Sequence, residues 1–151
     1  MGQIIGIGRH ARDVYPVARW PIPAIPGVVK SLQNGVPLPL LQIDITQTLD
    51  NTFAARLQFA AECTDGTDSQ IRQGDCNSAA AYKVSTATFT TSQAQTATNA
   101  FTAGALTTTF SWTTSGTVAT LNVTVTTTLA VPTDFKFHYY VPFATHPFTL
   151  L

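Results

Sequence analysis

Alternation of hydrophobic and polar positions predicts β-strands along this chain, and residues 106–129 carry the clearest pattern. Between its two halves, Ser115 and Gly116 suit a two-residue loop, because glycine readily adopts the positive φ that a tight hairpin turn needs. One apolar face is predicted to comprise Leu106, Thr108, Phe110, Trp112, Ala119, Leu121, Val123, Val125, Thr127 and Leu129. Residues 106–129 are therefore predicted to form a β-hairpin.

The same two-residue period predicts further strands on both sides of the hairpin. Residues 40–51 and 52–61 each alternate, and a turn is expected between them. Residues 82–91 return to strand chemistry, whereas the low-complexity residues 92–104 are predicted as a loop or a weak strand. Residues 134–143 give the last strand. The side chains expected to face inward are Leu41, Ile43, Ile45, Phe53, Ala55, Leu57, Phe59, Phe135, Phe137, Tyr139, Val141 and Phe143.

Residues 1–39 differ from the rest because they hold six of the nine prolines. Proline fixes φ, removes a hydrogen-bond donor and disfavours helix in the residue before it, so this segment must run extended. Its Trp and Ile side chains are ones that a solvated linker would avoid. The chain is thus predicted to comprise an extended N-terminal arm, residues 1–39, and a β domain, residues 40–151. The expected fold is all-β, an antiparallel β-sandwich or jelly-roll-like barrel of about six to eight strands.

Charged residues are scarce, at 11% of 151 residues with a formal net charge of zero. Residues 84–132 contain no Asp, Glu, Lys, Arg or His. Charges on sheet faces and edges are the usual guard against association of one sheet with another. The missing charge therefore predicts that much of this surface faces another protein chain. A polar, uncharged surface that stays free is the alternative.

The arm carries the candidate partner-contact residues. Its three arginines are fewer than nucleic-acid-binding arms usually have, so we expect them to pair with carboxylates of a protein partner. Its apolar residues make no ladder of their own and gain stability only by lying on another surface. The candidate contacts are Arg9, Arg12, Arg19, Trp20, Ile22 and Ile25.

Residues 62–77 are predicted as a polar loop bracketed by Cys63 and Cys76, a candidate disulfide. A bridge would remove about 3 kcal/mol of loop freedom from the unfolded chain. No signal peptide is visible, and the cytoplasmic synthesis this implies favours free thiols, so both states stay open. The loop also concentrates acidic residues, but their spacing matches no calcium-loop template. We predict no metal and no cofactor.

No catalytic signature is present. None of His10, His138 and His146 has a Ser or Cys at motif spacing, and no P-loop, HExxH or nucleophile elbow occurs. The protein is therefore predicted not to be an enzyme. No stretch approaches the length of a membrane span, so no membrane partner is expected.

A Pro-rich arm, a small β body and uncharged strand faces are together the organisation of the decoration (cement) proteins of tailed-phage capsids, which this chain resembles in type. The resemblance implies a structural protein of the virion, assembled in the host cytoplasm. It also implies a homo-oligomer, most often a trimer, that binds the major capsid protein or other virion subunits. The arm would clamp the shell or a neighbouring copy.

Two other classes of protein fit the same sequence. A carbohydrate-binding or adhesin-type β module would use aromatic side chains as a stacking platform, with Tyr139 and Tyr140 as exposed candidates. A small coat protein would use the basic arm to bind the genome with salt-sensitive affinity. We consider nucleic acid the less expected partner because the arm's basic residues are sparse.

Overall fold

The computed structural model describes residues 3–5, 27–47 and 51–151, and in this part of the chain every strand belongs to one of two five-stranded antiparallel sheets. Sheet A has the strand order β1-β10-β3-β8-β7, and sheet B has the order β2-β9-β4-β5-β6. No α-helix occurs among the described residues. The strands are β1 (Gln3–Ile5), β2 (Val28–Ser31), β3 (Pro37–Asp44), β4 (Thr52–Thr64), β5 (Ser69–Lys83), β6 (Thr88–Phe101), β7 (Leu106–Ser115), β8 (Val118–Thr127), β9 (Lys136–Ala144) and β10 (Phe148–Leu150). The predicted all-β sandwich is confirmed.

The two sheets enclose one hydrophobic core, because each central strand turns its large apolar residues to the same side. Leu57 and Phe137 from sheet B and Leu121 from sheet A are fully buried in it. Phe59 of β4 packs its ring 5.1 Å from that of Phe110 on β7, which joins the sheets through an edge-to-face aromatic contact. Burial of such side chains contributes about 1.5–3 kcal/mol each.

The predicted central hairpin is confirmed as β7 and β8, which pair from Leu106 opposite Thr127 to Ser115 opposite Val118. The loop lies one residue later than predicted, at Gly116 and Thr117. Gly116 has φ +58° and takes the first loop position, where a two-residue hairpin turn of the II′ type requires a positive φ.

The predicted polar loop at residues 62–77 is wrong, because β4 continues to Thr64 and β5 begins at Ser69. The predicted strand at residues 82–91 is confirmed only at its ends, which belong to β5 and β6. A turn at residues 84–87, in which Ala87 adopts φ +52°, divides it. Residues 92–101, predicted as a loop or a weak strand, belong to the strand β6, so the strand alternative is confirmed for them. Most inward positions of β5 hold small or polar side chains, such as Gln70 and Ser78, so β5 has no hydrophobic periodicity. It is a strand because its backbone pairs with β4 on one side and with β6 on the other.

The inward face predicted for the last strand is confirmed except at its end. A bulge interrupts the pairing of β9 with β4 between Arg56 and Gln58. The bulge contains Pro142, which has no N–H to give to the ladder. Phe143 is consequently turned outward and is 54% exposed, and Ala144 is buried in its place.

Both ends of the described chain are held in sheet A. β10, near the C-terminus, pairs with β1 on one side and β3 on the other. The predicted boundary between arm and domain at residue 40 stays a prediction. β1, β2 and the first three residues of β3 precede it as strands of the sandwich.

Candidate functional site

The outer faces of the two sheets differ in charge. The outer face of sheet B carries Arg56, Glu62, Asp75, Lys136 and His138. On sheet A, the outward residues of β7 and β8 pair across the strands as Thr107 with Thr126, Thr109 with Thr124, Ser111 with Asn122, and Thr113 with Thr120. Such pairs of hydroxyl side chains stabilise a sheet without any charge. The charge-free residues 84–132 therefore supply the outer face of β7 and β8 on sheet A and the edge strand β6 of sheet B.

Asn122 lies at the centre of that uncharged face. Its side chain is only 7% exposed, and its Nδ2 donates to Thr113 Oγ1 at 3.0 Å and to the Thr120 carbonyl at 3.1 Å. Both donor positions of the amide are thereby used within the sheet. Asn122 is thus a structural residue of β8.

The outer face of sheet B contains a groove of about 570 Å³, a volume in the usual range for small-ligand sites. Its position follows from the register, which aligns His138, Ala60, Gln73 and Thr98 in one row across four strands. Ala60 is the smallest side chain of that row, so the face is depressed there. The next row, Tyr140, Gln58, Asp75 and Thr96, forms one wall of the groove.

Two cations around this groove are paired with carboxylates, and a histidine lies beside a third carboxylate. Arg56 contacts Asp75 through two oxygens at 3.3 Å each, and His138 Nε2 lies 3.2 Å from Glu62 Oε1. Lys136 contacts Asp134 at 2.6 Å. This hydrogen bond and the carboxylate charge raise the pKa of Lys136 above its ordinary value. The cations Arg56 and Lys136 are thus compensated by carboxylates, whereas the buried His138 Nε2 has no hydrogen-bond partner in the described part of the chain.

Neutral polar groups remain available in the groove. Tyr140 donates its hydroxyl hydrogen to Gln58 Oε1. Within the described part of the chain, the side chains of Gln73, Thr96 and Thr98 make no hydrogen bond and are exposed. The groove thus combines one aromatic ring with amide and hydroxyl groups that can bind a neutral, hydroxyl-rich ligand.

The candidate contact residues of the arm, Arg9, Arg12, Arg19, Trp20, Ile22 and Ile25, lie outside the described residues. Tyr139, predicted as an exposed sugar-stacking residue, is instead buried at 1% exposure, and only Tyr140 faces the groove. Trp112 is half-buried, packs against Phe53 with ring centroids 6.4 Å apart, and donates to the Ser92 carbonyl. Neither Tyr139 nor Trp112 can form a free stacking platform.

The candidate disulfide between Cys63 and Cys76 is not formed, and both thiols are free and buried. Cys63 pairs with Gln70 on β5, six residues from Cys76 along the same strand, which separates the two cysteines by about 20 Å. A disulfide needs Cα atoms within about 7 Å. Burial raises the pKa of Cys63, and raises that of Cys76 to about 12, so neither thiol is reactive.

The acidic residues at residues 62–77 are dispersed by the strands. Asp65 caps a turn by accepting from the amides of Thr67 and Asp68 at 3.0 and 2.8 Å, and these bonds lower the pKa of its carboxyl. Asp75 lies away from this turn, on the groove wall. No group of three or more potential metal-binding side chains occurs in the part of the chain that the structure describes.

The groove residues Gln58, Gln73, Thr96 and Thr98 were not identified from the sequence. Of the strands that carry them, only β4 shows a clear alternation of apolar and polar residues. Their position side by side depends on the register of four strands. Once β5 and β6 are known to be strands, these residues fall at the alternate positions whose side chains face outward from sheet B, and that pattern could have pointed to them.

Comparisons with known proteins give no family. No protein-family model matches the chain, and no curated protein matches it. A search of solved structures finds the tailspike protein of Acinetobacter baumannii phage AM24, with 11% sequence identity and a TM-score of 0.42. That match covers 82% of this chain, which spans 25% of the tailspike chain. Among the described residues, no helix has the length and apolar character needed to cross a membrane.

Proposed function

We propose that this protein is an oligomeric structural subunit of a virus particle, of the decoration type, which reinforces a capsid shell through its arm and its β body. The observation that carries this proposal is the outer face of sheet A, where the paired residues of β7 and β8 are all Thr, Ser or Asn apart from Val118 beside the turn. A free soluble domain normally covers such a surface with interspersed charges.

The physical argument concerns association of one sheet with another. A net charge of zero removes the long-range repulsion between copies. Asp44 on β3 lies beside the turn end of the outer face of sheet A, opposite Val118. The hydroxyl and methyl groups of β7 and β8 on this face carry no charge whose burial would need an ionic partner. Such a surface is therefore suited to contact with a second copy or with another neutral protein surface, and in the trimer it would line the contact between copies.

Light scattering of the full-length protein tests this proposal. We expect a closed oligomer, with a trimer as its repeating unit, over a wide concentration range. Thr109→Lys places a charge on the outer face of sheet A and should lower the mass toward the 16.2 kDa of one chain. Asn77→Lys places the same charge at an exposed strand position on sheet B and is the matched control.

A monomeric wild-type protein at all concentrations would overturn the proposal. Loss of the oligomer in Asn77→Lys but not in Thr109→Lys would show that the contact between copies lies on sheet B and not on sheet A. Association with virions is tested separately, by mass spectrometry of particles purified from the source culture. The chain should be present there in fixed proportion to the major capsid protein.

A second candidate function, carbohydrate binding, is favoured by the groove on sheet B. The paired charges of Arg56 and Asp75, the free amide and hydroxyl groups and the ring of Tyr140 match a neutral glycan. The test is a glycan array probed with the full-length chain, its Tyr140→Ala variant and an Asn77→Ala control outside the groove. Binding that only Tyr140→Ala abolishes supports this function, and an array without signal rejects it.

A further inference from the structure

The strand β6 is the long open edge of sheet B. It spans Thr88–Phe101 and pairs with β5 over its whole length without a bulge. At about 3.3 Å per residue, its free side is about 45 Å long. Natural proteins normally protect such an edge with Lys, Pro, a bulge or a covering loop. β6 contains no charged residue and no Pro.

The hydrogen-bond pattern shows which backbone groups of β6 are free. In an antiparallel sheet, successive residues direct their N–H and C=O groups alternately to the two neighbouring strands. The amide of Tyr82 donates to the Asn51 carbonyl, so the even-numbered residues of β5 direct their backbone groups away from β6. The amide of Thr102 donates to the Ser69 carbonyl, so the odd-numbered residues of β5 bond to the even-numbered residues of β6. The groups directed outward therefore belong to Phe89, Thr91, Gln93, Gln95, Ala97, Asn99 and Phe101. No hydrogen bond from the described residues reaches these backbone groups.

The other described edges are shorter, and β7 is engaged at one backbone group on its free side. β1 and β2 have three and four residues. On β7, the outward carbonyl of Thr108 accepts from Gln95 Nε2 at 2.6 Å. Arg72 also holds β6 in place above β7, by donating to Thr108 Oγ1 and to Asn99 Oδ1 at 2.9 and 2.6 Å. The β6 edge is thus fixed in position and left open.

We propose that the β6 edge binds the β6 edge of a second copy of this chain, antiparallel and about a two-fold axis, so that the two sheets B form one continuous ten-stranded sheet. This inference rests on the proposed function and locates one of its contacts. An isologous contact satisfies both open edges at once. The uncharged strand meets its own copy without like-charge repulsion, whereas a charged partner strand would place unpaired charges beside it.

This contact uses neither outer sheet face, so it is compatible with a separate contact through the outer face of sheet A. If face contacts close a trimer, β6 pairs join such trimers two by two. The edge and the face then make independent contributions to the mass of the assembly.

Amide exchange of the full-length wild-type oligomer, followed residue by residue by NMR, tests the proposal. We expect the amides of Thr91, Gln93, Ala97 and the other outward residues to exchange as slowly as those of the even-numbered residues bonded to β5. Rapid exchange of the odd-numbered amides beside slow exchange of the even-numbered ones would overturn the β6 contact.

The substitution Gln93→Pro removes one outward N–H at an exposed residue and leaves the pairing with β5 intact. Its mass by light scattering should be half that of the wild type, while the matched control Gln93→Ala keeps the full mass. Gln93→Lys, which keeps the N–H but adds a charge, should give the same halving if Gln93→Pro fails to fold.

The outcomes separate the two proposals. A wild-type oligomer whose mass is unchanged in both Gln93→Pro and Gln93→Lys overturns the β6 contact alone. A wild-type chain that is monomeric throughout overturns the proposed function and this contact with it.

Discussion

Tyr139 joins the two sheets through a single buried hydroxyl group. It lies on β9 of sheet B, and its hydroxyl oxygen is 2.9 Å from the carbonyl oxygens of both Leu40 and Leu151. One hydroxyl hydrogen is shared between these two acceptors. The same two residues are joined by the amide of Leu151, which donates to the Leu40 carbonyl at 3.0 Å. Tyr139 thereby fixes the C-terminal end of the chain against β3.

Removing this hydroxyl should destabilise the fold. Tyr139→Phe keeps the ring in the core but leaves the Leu151 carbonyl with one partner fewer, so we expect a loss of about 1–2 kcal/mol in the free energy of unfolding. Tyr140→Phe is the control, because its hydroxyl is only partly buried and donates to one side chain, so its removal should cost less than that of the Tyr139 hydroxyl. Urea unfolding measures both, and equal losses in the two variants would contradict the role given to Tyr139.

Alkaline pH should weaken the fold through the same residue. Burial raises the pKa of Tyr139 from 10.0 to about 12, so the unfolded chain loses this proton at lower pH than the folded chain. The contribution of Tyr139 to stability is therefore complete below pH 10 and declines between pH 10 and about 12. The expected slope from this group is about 1.4 kcal/mol per pH unit.

The buried Cys76 thiol, whose pKa is likewise raised to about 12, adds a decline of the same sign. Urea unfolding at several alkaline pH values should give a shallower decline in Tyr139→Phe than in the wild type. Parallel curves of stability against pH for the two proteins would show that Tyr139 has the same pKa in the folded and the unfolded chain.

At the level of elements, the sequence reveals strands whose two faces differ strongly in hydrophobicity. The alternation in β4 and in the β7–β8 hairpin predicts both strand and inward face, because large apolar residues occupy every second position. β5 and β6 lack this contrast. Their strand conformation comes from backbone pairing with neighbours distant in sequence, which no local pattern encodes.

Local pattern also fails where the register changes. Phe143 keeps the alternation of β9 in the sequence, but the bulge at Pro142 turns it outward. The groove requires the register of four strands at once, and the open edge of β6 requires the strand order. Both are properties of the assembled sheet, so single-strand periodicity cannot predict them.

Gly74 is required for the close approach of β5 to β6. A Cβ atom at this position would lie 1.9 Å from the Thr96 carbonyl oxygen and 2.8 Å from the Cα of Ala97, and both are backbone atoms. Gly74→Ala should therefore displace β6 and cost about 1–3 kcal/mol in the free energy of unfolding.

Asn77→Ala, at an exposed position of the same strand, serves as the reference for Gly74→Ala and should lie within about 0.5 kcal/mol of the wild type. Urea unfolding gives the free energies, and amide exchange in β6 reports its displacement. A Gly74→Ala protein as stable as the wild type would show that β6 can move away from β5 without a loss in the free energy of unfolding.

At the scale of the whole molecule, the two sheets have different environments. The outer face of sheet B carries paired charges and a groove with free polar groups, as a surface in water does. The outer face of β7 and β8 in sheet A carries hydroxyl and methyl groups, and Asp44 on β3 is the charged side chain beside it. The strand β6 offers an unprotected edge. In the proposed assembly, sheet A therefore faces other subunits and sheet B faces the solvent.

This orientation has a consequence for the dependence of assembly on salt. Contacts through uncharged strands are insensitive to ionic screening, and salts that are excluded from protein surfaces strengthen them. The mass of the wild-type oligomer should therefore stay constant from about 0.1 M to about 1 M NaCl, over which the Debye length falls from about 10 Å to about 3 Å. Light scattering across this range measures it. An assembly held by Arg9, Arg12 and Arg19 pairing with carboxylates would instead dissociate as the salt concentration rises. That result would show that the arm, and not the sheets, makes the main contact between subunits.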